Sequence, residues 1–496
     1  EIYNVVFSLA ESPFDADEMW AGSDDGRLHV TRDAGSTWTE ITPPGMPQYG
    51  TVDEIELSAH APGRAYVAVQ RYRLDDFAPY IFRTDDYGSS WALATDGIPG
   101  DFPVRTVRED AEQEGLLFAG TEYGLFVSFN GGRAWQSFQQ NLPITPVSGM
   151  RVAHNDLIIS TQGRSFWILD DISPLRELTA AVGAGAHLFK PRDEYRLTNV
   201  GPTFLAELAP EPRPAGAQLH YWLGEGHEGD VRIDVVDARG EIAHTFATDS
   251  TTLEETEGQE ISAESGLHRV AWSIFYPPPH LPEGAVIWGY SGGVVAPPGD
   301  YTVRMTTAAG VQEQTLRLLP DPRIPEVTTA SYAEQFQAAM VVRDSISSIA
   351  RAIDDLAAIR DQVGGVMDRA ESAGQGDALR ALADTLDEKT TGVTEDLMQT
   401  KNRSGQDPIR FPPRLDNQWL ELYGRITGTD GYISGGAEGA PHEGTIERLE
   451  DLTGEWDVIR TRYIDLLENE LRRFNQMVEQ LGLPAVVLPT RTRIIS

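Results

Sequence analysis

Cysteine is absent, which removes disulfide frameworks, thiol catalysis and cysteine-based zinc sites together. Lysine is nearly absent too, with Lys190, Lys389 and Lys401 the only three. No run approaches the ~18 uninterrupted apolar residues of a spanning helix, so no membrane span is expected. Positive charge is scarce: 40 basic against 76 acidic residues leave a net charge of −36, a field that repels phosphate backbones and anionic lipid. Nucleic acid is therefore excluded as an expected partner. The ten histidines show neither H-x-x-x-H nor H-E-x-x-H spacing, so neither a metal site nor a cofactor is expected.

What is present is ample. The 496 residues are 40% hydrophobic and 9% aromatic, enough for sizeable cores and for about three domains at ~100–200 residues each. The arginine-rich, acidic balance suits a GC-rich genome and a salty or extracellular milieu. The chain opens at Glu1 directly into a strand-like run, without the charged and apolar regions of a signal peptide, and reads as a mature or cleaved fragment.

Internal repeats dominate the first 180 residues. Thr31-Arg32-Asp33-Ala34-Gly35-Ser36-Thr37-Trp38 returns as Thr84-Asp85-Asp86-Tyr87-Gly88-Ser89-Ser90-Trp91, and more loosely as Ser128-Phe129-Asn130-Gly131-Gly132-Arg133-Ala134-Trp135. Gly35, Gly88 and Gly132 are 53 and 44 residues apart, the period of a four-stranded propeller blade. The pattern S/T-x-D/N-x-G-x-S/T-W is the Asp-box, or BNR repeat. Its physics is structural: Gly supplies positive φ, while Asp and Ser/Thr hydrogen-bond the turn's own backbone. The Trp is expected to pack between neighbouring sheets. Four blades or part-blades are expected from the spacing, at about 1–45, 46–97, 98–142 and 143–178.

The second blade breaks the pattern. Blades one and three turn on Asp24-Asp25-Gly26 and Glu122-Tyr123-Gly124, whereas blade two carries Gln70-Arg71-Tyr72-Arg73-Leu74-Asp75-Asp76-Phe77-Ala78-Pro79. Strand order puts this loop on the face opposite the Asp-boxes, where insertions into a repeat array collect binding residues. Arg71, Tyr72, Arg73, Asp75 and Asp76 are the candidate binding residues, with Arg164 of the terminal blade as a neighbour. The alternative is that Arg and Asp simply brace the loop as ion pairs.

Residues 179–200 read as a connector. Residues 201–325 alternate apolar and polar over short strands, fitting a disulfide-free immunoglobulin-like β-sandwich. From 326 to 485 the period becomes helical. One stripe is Ile346, Ile349, Ile353, Leu356, Ile359 and Val363; another is Ile446, Leu449, Trp456, Ile459, Tyr463, Leu466, Phe474 and Leu481. Shorter segments near 377–402 and 413–427 complete an expected four-helix bundle, and 486–496 form an extended tail. Gly289-Tyr290-Ser291-Gly292-Gly293 matches G-x-S-x-G, yet Pro297-Pro298 forbids the helix that a nucleophile elbow needs.

The order of Asp-box blades, the run Gly163-Arg164-Ser165-Phe166-Trp167-Ile168-Leu169-Asp170-Asp171, a sandwich and a helical bundle resembles the C-terminal half of bacterial sortilin-like Asp-box propeller proteins. The loop Leu74-Asp75-Asp76-Phe77-Ala78-Pro79-Tyr80 shares the resemblance, which covers essentially the whole chain. That family is often labelled glycosyl hydrolase. The resemblance implies an extracellular, cell-surface or periplasmic protein, whose partner is the N-terminal half of the same propeller as a separate chain or cleaved fragment. It further implies a protein- or peptide-binding or assembly module. The alternative is a glycoside hydrolase with its cleft shared with that N-terminal half. No position here matches the catalytic Asp residues of the xyloglucan-cleaving relatives. Fold by itself does not carry function.

Overall fold

The computed structural model describes residues 4–197, 213–428 and 438–488, and divides the chain into two compact units. The first unit comprises Glu1–Arg192 with two short returning segments, and the second holds the rest of the chain. Within the first, the repeats become successive antiparallel sheets. Val6–Glu11, Met19–Ser23, Leu28–Thr31 and Thr39–Glu40 pair in order as the first blade. The second blade is Thr51–Leu57, Ala65–Arg71, Asp76–Thr84 and Ala92–Leu93, and the third is Val104–Glu109, Leu117–Thr121, Gly124–Ser128 and Gln136–Ser137. A three-stranded fourth sheet, Val147–Ala153, Asp156–Thr161 and Phe166–Leu169, ends at the helix Ser173–Ala181. These sheets form a partial β-propeller. Apolar cores fill the spaces between blades one and two around Trp20 and Val52, between two and three around Tyr66 and Val107, and between three and four around Phe118 and Leu157.

Each Asp-box closes its own turn. Thr31 Oγ1 donates to Asp33 Oδ1 at 2.8 Å and accepts the Gly35 N–H at 2.9 Å, while Thr37 donates its N–H and hydroxyl to the two Asp33 oxygens. Thr84, Asp86, Gly88 and Ser90 repeat this set. In the third box Asn130 accepts the Ala134 N–H, and the missing hydroxyl removes one bond. Two consecutive residues are left-handed in every box, as at Ala34 (φ 57°) and Gly35 (φ 87°).

The box tryptophans are not equivalent, which corrects the expectation for Trp38. Trp91 and Trp135 each reach back to the preceding blade, donating Nε1–H to the carbonyls of Ile41 (3.0 Å) and Ala94 (2.9 Å). Trp38 belongs to the first blade, and it stays 42% exposed. Val6, Phe7 and Leu9 on the same blade, and Phe166 and Ile168 on the fourth, are also exposed.

In the second unit, six strands run in the order Glu194–Tyr195, Gly310–Leu319, Gly299–Thr307, Arg232–Val236, Ile242–Ala247, Gln259–Glu260. The outermost pairings are parallel and the rest antiparallel. Tyr301, Val303 and Met305 alternate inward at period two. Among the described residues four longer helical segments come next, Thr329–Ser372, Gly376–Leu397, Leu415–Thr427 and a run from Glu443 to Gln480, with a single turn at Asp407–Ile409. The whole Ile346-to-Val363 stripe is buried. The last helix departs from simple periodicity. Leu466–Leu471 is π-helical, so the buried stripe steps by five from Leu466 to Leu471 and continues through Phe474 and Val478. Leu481 caps the end of this helix and is half-buried. Ser291 lies on an exposed irregular loop with no helix after it until Thr329.

Candidate functional site

The loop of the second blade is built by a register shift. Pairing of Ala65–Arg71 with Asp76–Thr84 slips between Val69 and Arg71, and Tyr72–Leu74 forms one short helical turn. Asp75, left-handed at φ 59°, returns the chain to the next strand. Blades one and three need no such detour, since Gly26 (φ 87°) and Gly124 (φ 135°) make tight turns.

Arg71 and Asp76 are held inside the loop. Arg71 Nε donates to the Gln48 carbonyl at 2.8 Å, and its guanidinium lies 3.5 Å from Asp76. Asp76 also accepts the Tyr80 hydroxyl at 3.0 Å and the Ala78 N–H at 3.2 Å. Burial, with Asp76 beside it, pushes the Tyr80 phenol above its ordinary range. These two candidates therefore shape the loop. Arg73 and Asp75 are exposed at its tip.

Tyr72 leads to a different set of neighbours. The guanidinium of Arg105, on the inner strand of blade three, sits 5.7 Å from the centre of its ring, and Arg73 sits 5.8 Å from it. Arg105 bridges two carboxylates, Asp53 at 2.8 Å and Glu122 at 2.7 Å. Asp53 is deeply buried, and burial pushes its pKa up to about 6 despite the opposing charges of Arg105 and Arg73. The same ladder continues along the inner strands. Arg108 pairs with Glu54 and with Glu56 (2.7 Å), and burial drives Glu56 up to about 7.

Tyr72 and Glu122, the neighbours of Arg105, line a pocket of about 320 Å³ on the face opposite the Asp-boxes. Tyr72 and Phe77 form one wall, Glu122 and Tyr123 another, and Ile144 with Pro146 a third. Phe102 supports Tyr123 with ring centres 4.7 Å apart. Phe77, Tyr123 and Ile144 are all exposed, Ile144 by 78%, so apolar side chains flank Glu122, the charged residue among those lining the pocket. Arg164 is not brought to this loop. It occupies the exposed turn of the fourth blade, where its carbonyl accepts the Trp167 indole N–H at 2.9 Å.

Sequence reasoning missed Asp53, Phe77, Arg105, Glu122, Tyr123 and Ile144 as members of this constellation. The signal was available in the repeat, because Asp53 and Arg105 occupy matching positions of successive inner strands, 52 residues apart. Among the described residues, no group of three or more His, Asp or Glu could hold a metal ion, and no helix is long and apolar enough to cross a membrane.

No family model and no curated protein matches the chain. Among solved structures, YCF48 from Cyanidioschyzon merolae is similar at 16% identity with a TM-score of 0.26, over 34% of this chain and 56% of that one. The GH74 xyloglucanase from Xanthomonas campestris gives 16% identity and 0.21, over 35% and 38%. The ancestral GH74 enzyme AFV00434 gives 13% identity and 0.28, over 63% and 47%. The chain thus spans about half the length of these three structures, and at such scores they carry no argument about its chemistry.

Proposed function

We propose that this chain is a sortilin-like propeller module that captures a protein or peptide segment in the pocket between blades two and three. The observation that carries the reading is the pocket's make-up: exposed Phe77, Tyr123 and Ile144 around a Tyr72 ring backed by a fixed guanidinium. Aromatic anchors in a concave, mostly apolar pocket are what protein recognition concentrates on. Arg71 and Asp76 would act as positioning residues, with Arg73 and Asp75 at the rim. Arg164 would contribute only to a ligand long enough to reach the fourth blade.

The exposed apolar residues on blades one and four support completion of the ring by further blades, supplied by an N-terminal half of the protein. Such a protein would work outside the cytoplasm, at the cell surface or in the periplasm. The six-stranded sheet of the second unit supports an immunoglobulin-like relation for the described residues of 201–325, those from 213 onward, although its parallel edges depart from that fold's antiparallel rule.

A glycan-active enzyme is the competing reading, and Asp53 favours it, since a carboxyl raised to about 6 suits general acid chemistry. Against it, both Asp53 and Glu122 are held on Arg105. A peptide array and a panel of β-glucans, read with wild type and Tyr72→Ala/Tyr123→Ala, separate the two. Peptide binding lost at unchanged melting temperature supports the module. Glucan turnover abolished by Asp53→Asn or Glu122→Gln would overturn it.

A further inference from the structure

We propose that the second unit carries a binding site for a neutral saccharide, on a tryptophan platform that shares no residue with the blade pocket. The site is a pocket of about 420 Å³, within the ~300–1,000 Å³ of small-ligand sites. Trp288, Pro408, Pro413 and Leu422 give its apolar surface.

The platform is fixed before any ligand arrives. The Trp288 N–H donates to Asn417 Oδ1 at 3.1 Å, and Asn417 Nδ2 donates back to the Trp288 carbonyl at 2.7 Å. The indole N–H is taken by the Gly405 carbonyl at 2.6 Å, so the 41% of Trp288 left exposed offers its hydrocarbon surface. Gly289 permits this arrangement, because at φ 127° a Cβ there would lie 2.8 Å from Leu420 Cβ and 3.0 Å from Leu420 backbone. The proline wall is fixed too. Asp407 accepts the N–H groups of Arg403 (2.7 Å) and Ser404 (2.9 Å), and Gln399 donates to the Pro412 carbonyl at 2.9 Å.

The rim decides the ligand class. Its charges are already matched: Arg425 pairs with Glu421 at 2.9 Å, and Arg448 with Glu455 at 3.2 Å. A charged ligand would meet an opposing charge beside every attractive one, in either sign. A neutral ligand meets planar groups that donate (Arg425, Arg448 and the Gln418 amide) and accept (Glu421), the Gln418 carbonyl being taken by Arg448. Hydroxyls, which donate and accept, satisfy that rim, while the C–H face of a pyranose covers the aromatic ring. A proline-rich peptide would also pack on Trp and Pro, but its bare carbonyls only accept, so Glu421 would gain no donor beyond Arg425.

The test is calorimetric titration of the whole chain with cellohexaose, xylohexaose and mannohexaose. Hexagalacturonate serves as a charged control and decaproline as the peptide competitor. One neutral hexasaccharide should bind and hexagalacturonate should not. Trp288→Ala should weaken binding about tenfold or more. Arg448→Ala, an exposed rim change that leaves the platform's hydrogen bonds in place, should weaken it while the melting temperature holds. Tyr72→Ala/Tyr123→Ala should leave it unchanged. The proposal falls if no neutral hexasaccharide binds, or if binding ignores both Trp288→Ala and Arg448→Ala. It falls equally if the saccharide is lost with the blade variant, or if decaproline is the ligand that Trp288 holds.

Discussion

Replacing Arg105 by Met tests whether the ion-paired guanidinium behind Tyr72 and Glu122 carries the energetics assigned to it. Arg105 is 16% exposed and its partners Asp53 and Glu122 are 5% and 19% exposed, so all three charges are largely removed from water. Breaking a buried pair by removing one partner costs roughly 3–5 kcal/mol, because the remaining charge keeps its desolvation penalty. Here the cost must depend on pH. Asp53 titrates near 6 in the folded protein and near 3.8 in the unfolded chain, so folding takes up a proton between those values. Stability from this group is highest at acid pH and declines as pH rises through that window. Without Arg105 the folded value climbs further and the window extends upward. The destabilisation should therefore be about 1 kcal/mol at pH 4.5, where Asp53 is neutral either way, and about 3 kcal/mol at pH 8. Scanning calorimetry at both pH values reads it, taking the transition that moves, since two compact units need not melt together. Arg105→Met/Asp53→Asn should flatten the dependence. Equal losses at both pH values, or a double variant as pH-sensitive as the single, would refute the reasoning.

The Asp-boxes were legible because each is a local device: Thr31, Asp33, Gly35 and Thr37 satisfy one another within seven residues. What their neighbours are is not local. The three box tryptophans look identical in sequence, yet Trp135 is buried and Trp38 exposed, because burial depends on a preceding blade. The same limit hid the pocket. Thr51–Leu57 and Val104–Glu109 each read as a strand with polar residues on one side, and only their side-by-side placement turns Asp53, Glu54 and Glu56 into partners of Arg105 and Arg108. The constant offset of 52 residues would have exposed that pairing had the inner strands been aligned on the repeat. The loop of blade two was singled out as an insertion, but composition could not say which of its residues face inward. Arg71 and Asp76 turn to each other, whereas Tyr72 turns to Arg105. In the last helix, the π-helical step at Leu466–Leu471 brings Leu471 onto the buried stripe, a residue that 3.6-residue counting had left out.

Asp33→Ala and Asp86→Ala should lower the thermal midpoint while peptide affinity stays unchanged. Hydrogen bonds from Thr37 and Ser90 hold both carboxyls below their ordinary range, so the difference from wild type should shrink in acid. Trp135→Ala should cost roughly 3–5 kcal/mol by denaturant unfolding and Trp38→Ala within about 0.5 kcal/mol, a contrast that equal losses would contradict. Asp416→Asn should remove a pH dependence of the second unit. Asp416 opens the helix Leu415–Thr427, is 8% exposed, and burial raises its pKa from 3.8 to about 7, with only the Asn417 N–H opposing. The folded protein therefore binds a proton that the unfolded chain has released across that interval, and stability falls as pH rises through it. Above pH 7 the charged carboxylate costs up to ~4 kcal/mol, a burden asparagine does not carry. The variant should match wild type near pH 4 and melt higher at pH 8. A variant that melts lower than wild type at both pH values would mean that Asp416 is stabilised by its surroundings rather than strained by them.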